Sequence, residues 1–305
     1  MIYFIFALMI CATTAEATPW KWAFVGDILL GRQVERELKS KPGTNPWQAA
    51  PFGSDETVLG NFEGAIGTSE QCTNKGQPTG ELCFAIDEKR LPLLHAAGFT
   101  YLSLENNHSH DTGADAQARS AKAIEEAGLS PLTFEASPVF VRKNGIGIAL
   151  VAVDLVSKGH PELPEIERKI RLAKRLADWT VVVVHWGTEL LGWPDYWQSK
   201  YAPGLVAAGA DMIFGSHPHV IQDPECVDGH PVYFSLGNHL FDQRYPSTHT
   251  GQIVRCAFEL NSFTCERSRS MRDKDSTFPH WSSEKIAPLN CESKVRKICL
   301  LYTSP

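Results

Sequence analysis

The sequence predicts an α/β fold built on mixed β-structure, and three features predict it. Apolar strand-like runs alternate with helical stretches along most of the chain, the pattern of α/β proteins. The run Thr180–Val184, TVVVV, is nearly all valine, as expected of a strand buried on both faces. Hairpin patterns at 139–153 and 251–265 add antiparallel pairs, so the sheet is mixed, or two sheets are stacked.

The elements follow in order. Trp20–Val25 is a short apolar strand running into Gly26-Asp27, and Arg32–Lys39 is helical. Thr57–Asn61 is a strand that closes on Gly60-Asn61-Phe62-Glu63. Asp87–Ala97 is an amphipathic helix stopped by Gly98. Phe99–Leu104 is a strand leading into Glu105-Asn106-Asn107-His108. Asp111-Thr112-Gly113 opens helix Ala114–Ala127, ended by Gly128. Val139–Val141 and Ile146–Val153 flank Lys143-Asn144-Gly145, where Asn-Gly supplies the positive φ of a tight hairpin turn. Pro164–Ala177 is a charged helix with an apolar stripe, and the valine strand ends at His185. Helix Tyr196–Ala208 precedes strand Asp211–Phe214, which reaches Gly215-Ser216-His217-Pro218-His219. Pro231–Leu236 runs into Gly237-Asn238, and Gly251–Leu260 pairs with the residues after Ser262. From Arg267 to His280 the chain is polar and reads as irregular.

With 305 residues, 43% of them hydrophobic, the chain can bury one large core. A net charge of −6 and the lack of a strong basic run argue against a nucleic-acid partner. Residues 1–17, MIYFIFALMICATTAEA, combine an apolar run too short to span a bilayer with small residues at Ala15 and Ala17. They read as a secretory signal, so the expected location is periplasmic or extracellular, in the cell envelope. Membrane association would then require that this segment stay uncleaved. Eight cysteines fit an oxidising compartment. Cys72 and Cys83 bracket a Gly/Pro/polar loop and are the first disulfide candidate; Cys226, Cys256, Cys265 and Cys291 have no pairing fixed by sequence. The terminal CLLYTSP matches what a transposase sequencing adapter encodes in one frame, so these residues are expected not to be native. The expected organisation is a signal over 1–17, a domain over 20–266 and an irregular tail over 267–305.

Reactive groups in α/β proteins collect at the carboxyl ends of strands. Here those ends carry Asp27, Glu63, Asn107-His108, His185 and His217-Pro218-His219, mostly beside a glycine. Two carboxylates, an amide and three imidazoles can hold two divalent ions about 3.5 Å apart, a pair that generates a nucleophile and clamps a phosphoryl group. His108 is placed to protonate a leaving oxygen if Asn107 takes the metal. Asp111 and Glu189 are candidate groups for orienting imidazoles. Arg32 is a candidate contact to a substrate anion. The tryptophans Trp186, Trp193 and Trp197 follow the His185 strand, with core packing as their default.

At this point a family becomes visible. VGDILLGR, GNFEG, SLENNHSHD, VVVHWGTEL, GSHPHVIQ and YFSLGNHLFDQ, in this order, resemble the capsule synthesis (CapA, poly-γ-glutamate biosynthesis) family of the calcineurin-like metallophosphoesterase superfamily. The resemblance covers roughly residues 20–260. It implies a four-layer α-β-β-α sandwich with a dinuclear metal site. It also implies that Asp27, Glu63, Asn107, His185, His217 and His219 are metal ligands and that His108 is the general acid. The ions expected are two of Mn, Zn or Fe. The superfamily's usual Asp-x-His first motif is here Gly-Asp, with one ligand in place of two. His239 stands where the family's SLGNF run has Phe, and is expected to be a surface change, with a nitrogen added near the cleft as the alternative.

The implied activity is metal-dependent hydrolysis, phosphoesterase-like, in capsule, poly-γ-glutamate or envelope polymer metabolism. The implied partners are an anionic polymer or phosphoester substrate and capsule or poly-γ-glutamate synthase subunits. Two alternatives accompany it: a non-catalytic accessory or binding subunit of a polymer synthesis and export complex, and a γ-glutamyl amide hydrolase or transferase using the same metals.

Overall fold

The computed structural model describes residues 18–48, 52–72, 82–157, 159 and 163–291. The expected signal over 1–17 and the terminal CLLYTSP lie outside the described residues. The fold is mixed α/β, with five helices and two main sheets among the described residues.

The first sheet has eight strands. Trp20–Ile28 lies at its centre, parallel to Thr57–Phe62, which continues through Phe99–Ser103 to Ser130–Leu132. On its other side Thr250–Phe258, Phe263–Arg272 and Pro279–Ile286 run antiparallel in succession. The short strand Asn238–Leu240 pairs in parallel with the end of Trp20–Ile28. The second sheet has six strands, in the order Glu225–Val227, His230–Tyr233, Met212–Ser216, Trp179–His185, Ile146–Asp154, Val139–Lys143. Its four central strands are parallel and both edges are antiparallel. The expected hairpin at Asn144-Gly145 forms, with φ of 54° and 81° at the two turn residues.

Alternation along each strand divides the apolar residues among three cores. Trp22, Phe24, Val254 and Phe258 of the first sheet meet Ile148, Leu150, Val181 and Phe214 of the second. The Phe24 and Phe214 rings stack with centroids 3.8 Å apart. On the far side of the first sheet, Val25 and Val58 pack with Val34, Leu38, Leu91, Leu94 and Ile124 of helices Arg32–Ser40, Leu91–Ala97 and Ala116–Glu126. On the far side of the second, Val182 and Val184 pack with Ile166, Ile170, Tyr201 and Leu205 of helices Pro164–Leu176 and Tyr196–Ala208. The valine run therefore has no polar face because Val181 and Val183 serve one core and Val182 and Val184 another.

Two expectations change. The segment from Arg267 to His280 is irregular only over 273–278: its two ends belong to Phe263–Arg272 and Pro279–Ile286, paired strands at the margin of the first sheet. A backbone ladder satisfies these strands while their side chains are mostly only half-buried or exposed, so a polar sequence suffices. Pro231–Leu236 is not one strand. It leaves the second sheet after Tyr233, and Ser235–Leu236 pairs with Ile221–Gln222 instead.

Cys72–Cys83 is bonded as expected, and the remaining described cysteines pair as Cys226–Cys291 and Cys256–Cys265. Cys256 and Cys265 face each other across neighbouring antiparallel strands. Among the described residues no helix is long and apolar enough to cross a membrane.

Candidate metal centre

The carboxyl ends of strands from both sheets meet in one cleft. The first sheet contributes Asp27, Glu63, Asn107 and His108; the second contributes His185, His217 and His219. Gly26 makes the junction possible. A Cβ there would lie 1.7 Å from the Gly237 carbonyl oxygen, so only glycine lets the two backbones approach, and Asp27 N then donates to that oxygen at 3.0 Å. His217 and His219 flank Pro218 with φ of 99° and 59°. Non-glycine residues held there cost of order 1–3 kcal/mol each, a strain that clusters at functional sites.

Asp27, Glu63 and His219 form a buried group whose ligand atoms all lie within 4.8 Å of one another, an arrangement able to hold a metal ion. His219 Nδ1 is 3.2 Å from Asp27 Oδ2, and its Nε2 is 3.4 Å from Glu63 Oε1. His219 Nδ1 also lies 2.9 Å from Asn238 Oδ1. Beside this group, His185 Nε2 sits 2.8 Å from Asn107 Oδ1, and the His185 and His217 rings are 4.7 Å apart. All six residues read from the sequence as ligands thus line one cleft.

Charge in the cleft is tightly coupled. Burial raises the Glu63 carboxyl well above the ordinary range, with Asp27 adding to the effect and His219 opposing it. Burial works against a charged His219, but the Glu63 and Asp27 carboxylates outweigh it and hold this ring up at about 10. Burial, with the neighbouring His219 charge, pushes His217 down to about 4. His185 is lowered well below its usual value, again first by burial and then by the other imidazoles. His185 and His217 are therefore neutral, as ligands must be, while His219 holds its proton beside Glu63 and would give it up to a bound ion.

The residues around the ligands divide differently from expectation. Asp111 Oδ2 accepts from Phe84 N at 2.7 Å and lies 2.8 Å from His108 Nδ1. Phe84, next to Cys83, stacks on the His108 ring at 3.6 Å, leaving His108 Nε2 4.0 Å from Glu63 Oε1. Glu189 is exposed, and reaches the site only through its charge, which adds to the raising of Glu63. Arg32 is engaged by Asp242, with Nε–Oδ2 at 3.2 Å and Nη2–Oδ1 at 3.1 Å, and its guanidinium lies over the Phe84 ring. Trp186 is core, donating to the Phe234 carbonyl, whereas Trp193 is exposed.

Sequence reasoning missed Asn61, Asn106, Ser216 and Asn238. The Asn61 amide lies 2.8 Å from Asp27 Oδ1, 3.3 Å from Glu63 Oε2 and 3.4 Å from His185 Nδ1. Asn106 donates to Asn61 Oδ1 at 3.2 Å and to the Phe62 carbonyl at 2.9 Å. Ser216 Oγ is 2.9 Å from His185 Nδ1. The available signal was a polar amide inside an apolar strand end, in Gly60-Asn61-Phe62-Glu63. His239 also departs from expectation. It is buried, because alternation along Asn238–Leu240 sends Asn238 to the cleft and His239 to the opposite side. There it accepts a hydrogen bond from Trp47 Nε1 at 2.9 Å and packs near Phe52, Phe99 and Trp281.

Fold and cleft together define a mixed α/β protein with a buried carboxylate–imidazole group suited to a metal ion. Residues 21–243 match the family described as bacterial capsule synthesis protein PGA_cap, and the chain belongs to that family. It is 31% identical over 260 residues to the PGA biosynthesis protein CapA of Bacillus subtilis (strain 168), covering 78% of this chain and 68% of that protein. It is 31% identical over 256 residues to the capsule biosynthesis protein CapA of Bacillus anthracis, covering 76% of this chain but only 62% of that protein. Among solved structures, TT1561 of Thermus thermophilus aligns with a TM-score of 0.40 and 10% identity, over 80% of this chain and 100% of that one; a likeness at this level carries no argument.

Proposed function

We propose that the protein is an exported, metal-dependent hydrolase of the phosphoesterase type, acting on an anionic polymer or phosphoester in capsule, poly-γ-glutamate or envelope metabolism. The observation that carries this reading is the buried Asp27–Glu63–His219 group with Asn107, His185 and His217 beside it. The donors fit a divalent transition metal, which accepts a mixed set of carboxylate oxygen and neutral imidazole nitrogen. Glu63 Oε1 and His217 Nδ1 are buried without a hydrogen-bond partner. Such orphans cost about 1–3 kcal/mol each, and coordination would relieve them. Asp27, Glu63 and His219 would hold one ion; Asn107, His185 and His217 would complete a second position. Manganese, zinc or iron would serve.

Divalent ions held there would supply Lewis acidity, polarising the oxygens of the scissile group and activating water at neutral pH. The chain's own residues supply positioning and proton transfer. Asp111 takes His108 Nδ1, so Nε2 is the nitrogen turned to the cleft and delivers the proton to the leaving oxygen. Phe84 fixes the plane of that ring by stacking on it. Asn61 binds Asp27 and Glu63 and keeps the two carboxylates side by side. Helices on the outer faces of two stacked sheets support the four-layer α-β-β-α arrangement of the calcineurin-like enzymes. Three disulfides and the signal-like start support export.

Elemental analysis after purification with added Mn²⁺ tests the proposal, together with an aryl phosphate assay. Bound transition metal and turnover that disappears in His217→Ala are expected. Protein without metal, or without turnover on any divalent ion, would sink it.

A further inference from the structure

Beyond Phe84, the ring that stacks on His108, lies a cavity of about 800 Å³ whose wall carries Arg32, Arg36, Arg244, Arg272 and Lys274. We infer that this cavity is an anion subsite that takes a phosphate or carboxylate group of a polyanionic ligand reaching the cleft. The inference builds on the proposed function only in supposing that the ligand continues to the metal group.

Charge is the first argument. Five cations face the carboxylates Glu37, Asp242 and Asp275, and two of these carboxylates are already used. Glu37 accepts from Lys41, Ser276 and Thr277 through both oxygens. Asp242 is bound by Arg32 and by Gln33 N. The other side of the ledger is open. Arg36 bonds only the neutral Gln33 side chain. Arg272 gives its terminal nitrogens to the backbone carbonyls of Asp273, Ser276 and Gln243, and its Nε is buried without a partner. Among the described residues neither Arg36 nor Lys274 has an acidic ion-pair partner, and Arg272 adds its charge to the wall with Asp242 and Glu37 as its nearest carboxylates. In a chain of net charge −6 this is a local positive field, which attracts anions into a concave site.

Position is the second argument. Arg32 and Asp242 in the cavity wall are linked to the metal cleft through two buried phenylalanines. Arg32 lies 4.8 Å over the Phe84 ring, which also stacks on His108 and meets the edge of Phe241. Asp242 follows Phe241, whose ring sits 4.7 Å from His219. A chain carrying a negative group every few ångströms would place one group in the cavity while another meets the metal ligands.

Binding of tripolyphosphate and of a γ-linked glutamate oligomer, each followed by calorimetry, tests this. The wild type, Arg36→Gln/Lys274→Gln and Asp27→Asn are compared. The wild type should bind at least one probe, and the probe bound tells phosphate from carboxylate. The double variant should lose affinity on the order of tenfold, with an unchanged melting temperature and metal content, and Arg36→Lys should keep it. Asp27→Asn should retain cavity binding without turnover, whereas binding by the wild type with no hydrolysis of either probe on any divalent ion would overturn the hydrolase proposal alone. Equal affinity in the double variant and wild type, binding lost only in Asp27→Asn, or no binding of either probe would overturn the subsite.

Discussion

Asn61 and Asp27 are register partners on neighbouring parallel strands, and the Asn61 amide lies 2.8 Å from Asp27 Oδ1. The same amide reaches Glu63 Oε2, so one neutral donor holds two buried carboxylates together. Asn61→Ala should lower stability by roughly 1–3 kcal/mol by removing that donor. Asn61→Asp should cost more, since it adds a third buried carboxylate, and excess Mn²⁺ should restore much of the loss. Urea midpoints with and without metal check this. Asn61→Asp as stable as wild type without metal would contradict it.

His108 is held by Asp111 on one ring nitrogen and turned to the cleft on the other. Replacing it with alanine should reduce aryl phosphate turnover by about 10²–10⁴ without loss of bound metal. Asp111→Asn should reduce turnover less, because the ring remains stacked on Phe84. Loss of metal in His108→Ala would instead make His108 a ligand.

His239 makes stability depend on acid. Burial, with the nearby Arg255 charge, pushes this ring down to about 3, so it stays neutral and accepts the Trp47 bond. The unfolded chain protonates it below about 6.5, so the unfolded state binds more protons from there down to about 3. The stabilisation is present above 6.5 and falls as pH drops through that window, by at most roughly 1.4 kcal/mol per pH unit. His239→Phe strands the buried Trp47 N–H, which costs about 1–3 kcal/mol at neutral pH, but removes the acid penalty. Denaturation midpoints at pH 7.5 and 4.5 should therefore show the variant gaining on wild type as pH falls. A constant difference would refute the assignment.

The Cys226–Cys291 bond closes a loop with a sequence separation of 65. On the chain-entropy view a loop of that size contributes roughly 4 kcal/mol. Cys226→Ser/Cys291→Ser should lower the unfolding midpoint accordingly. Cys256→Ser/Cys265→Ser, with a separation of only 9, should lower it less, since its two strands remain paired through their backbones.

Several parts of the fold were legible because their signals are local. Helix Tyr196–Ala208 begins at the Asp195–Gln198 capping box, and the valine run ends at His185 as its composition predicts. The hairpin partner after Ser262 was legible, but its extension to Arg272 and the strand Pro279–Ile286 were not, because their partners rather than their side chains make them strands. No basic run stands in the sequence, yet Arg36, Arg244, Arg272 and Lys274 gather around one cavity.

The sequence by itself determined the alternation of strands and helices, the ligand-type side chains at the strand ends and the family. Each depends on residues close together in the chain, where periodicity and turn chemistry act. Only the tertiary structure decided that Asn61 binds Asp27 and Glu63, that His239 is buried against Trp47, how Cys226, Cys256, Cys265 and Cys291 pair, and which cations share a cavity. These relations join residues far apart in sequence. They follow from strand order and register, and no local pattern encodes them.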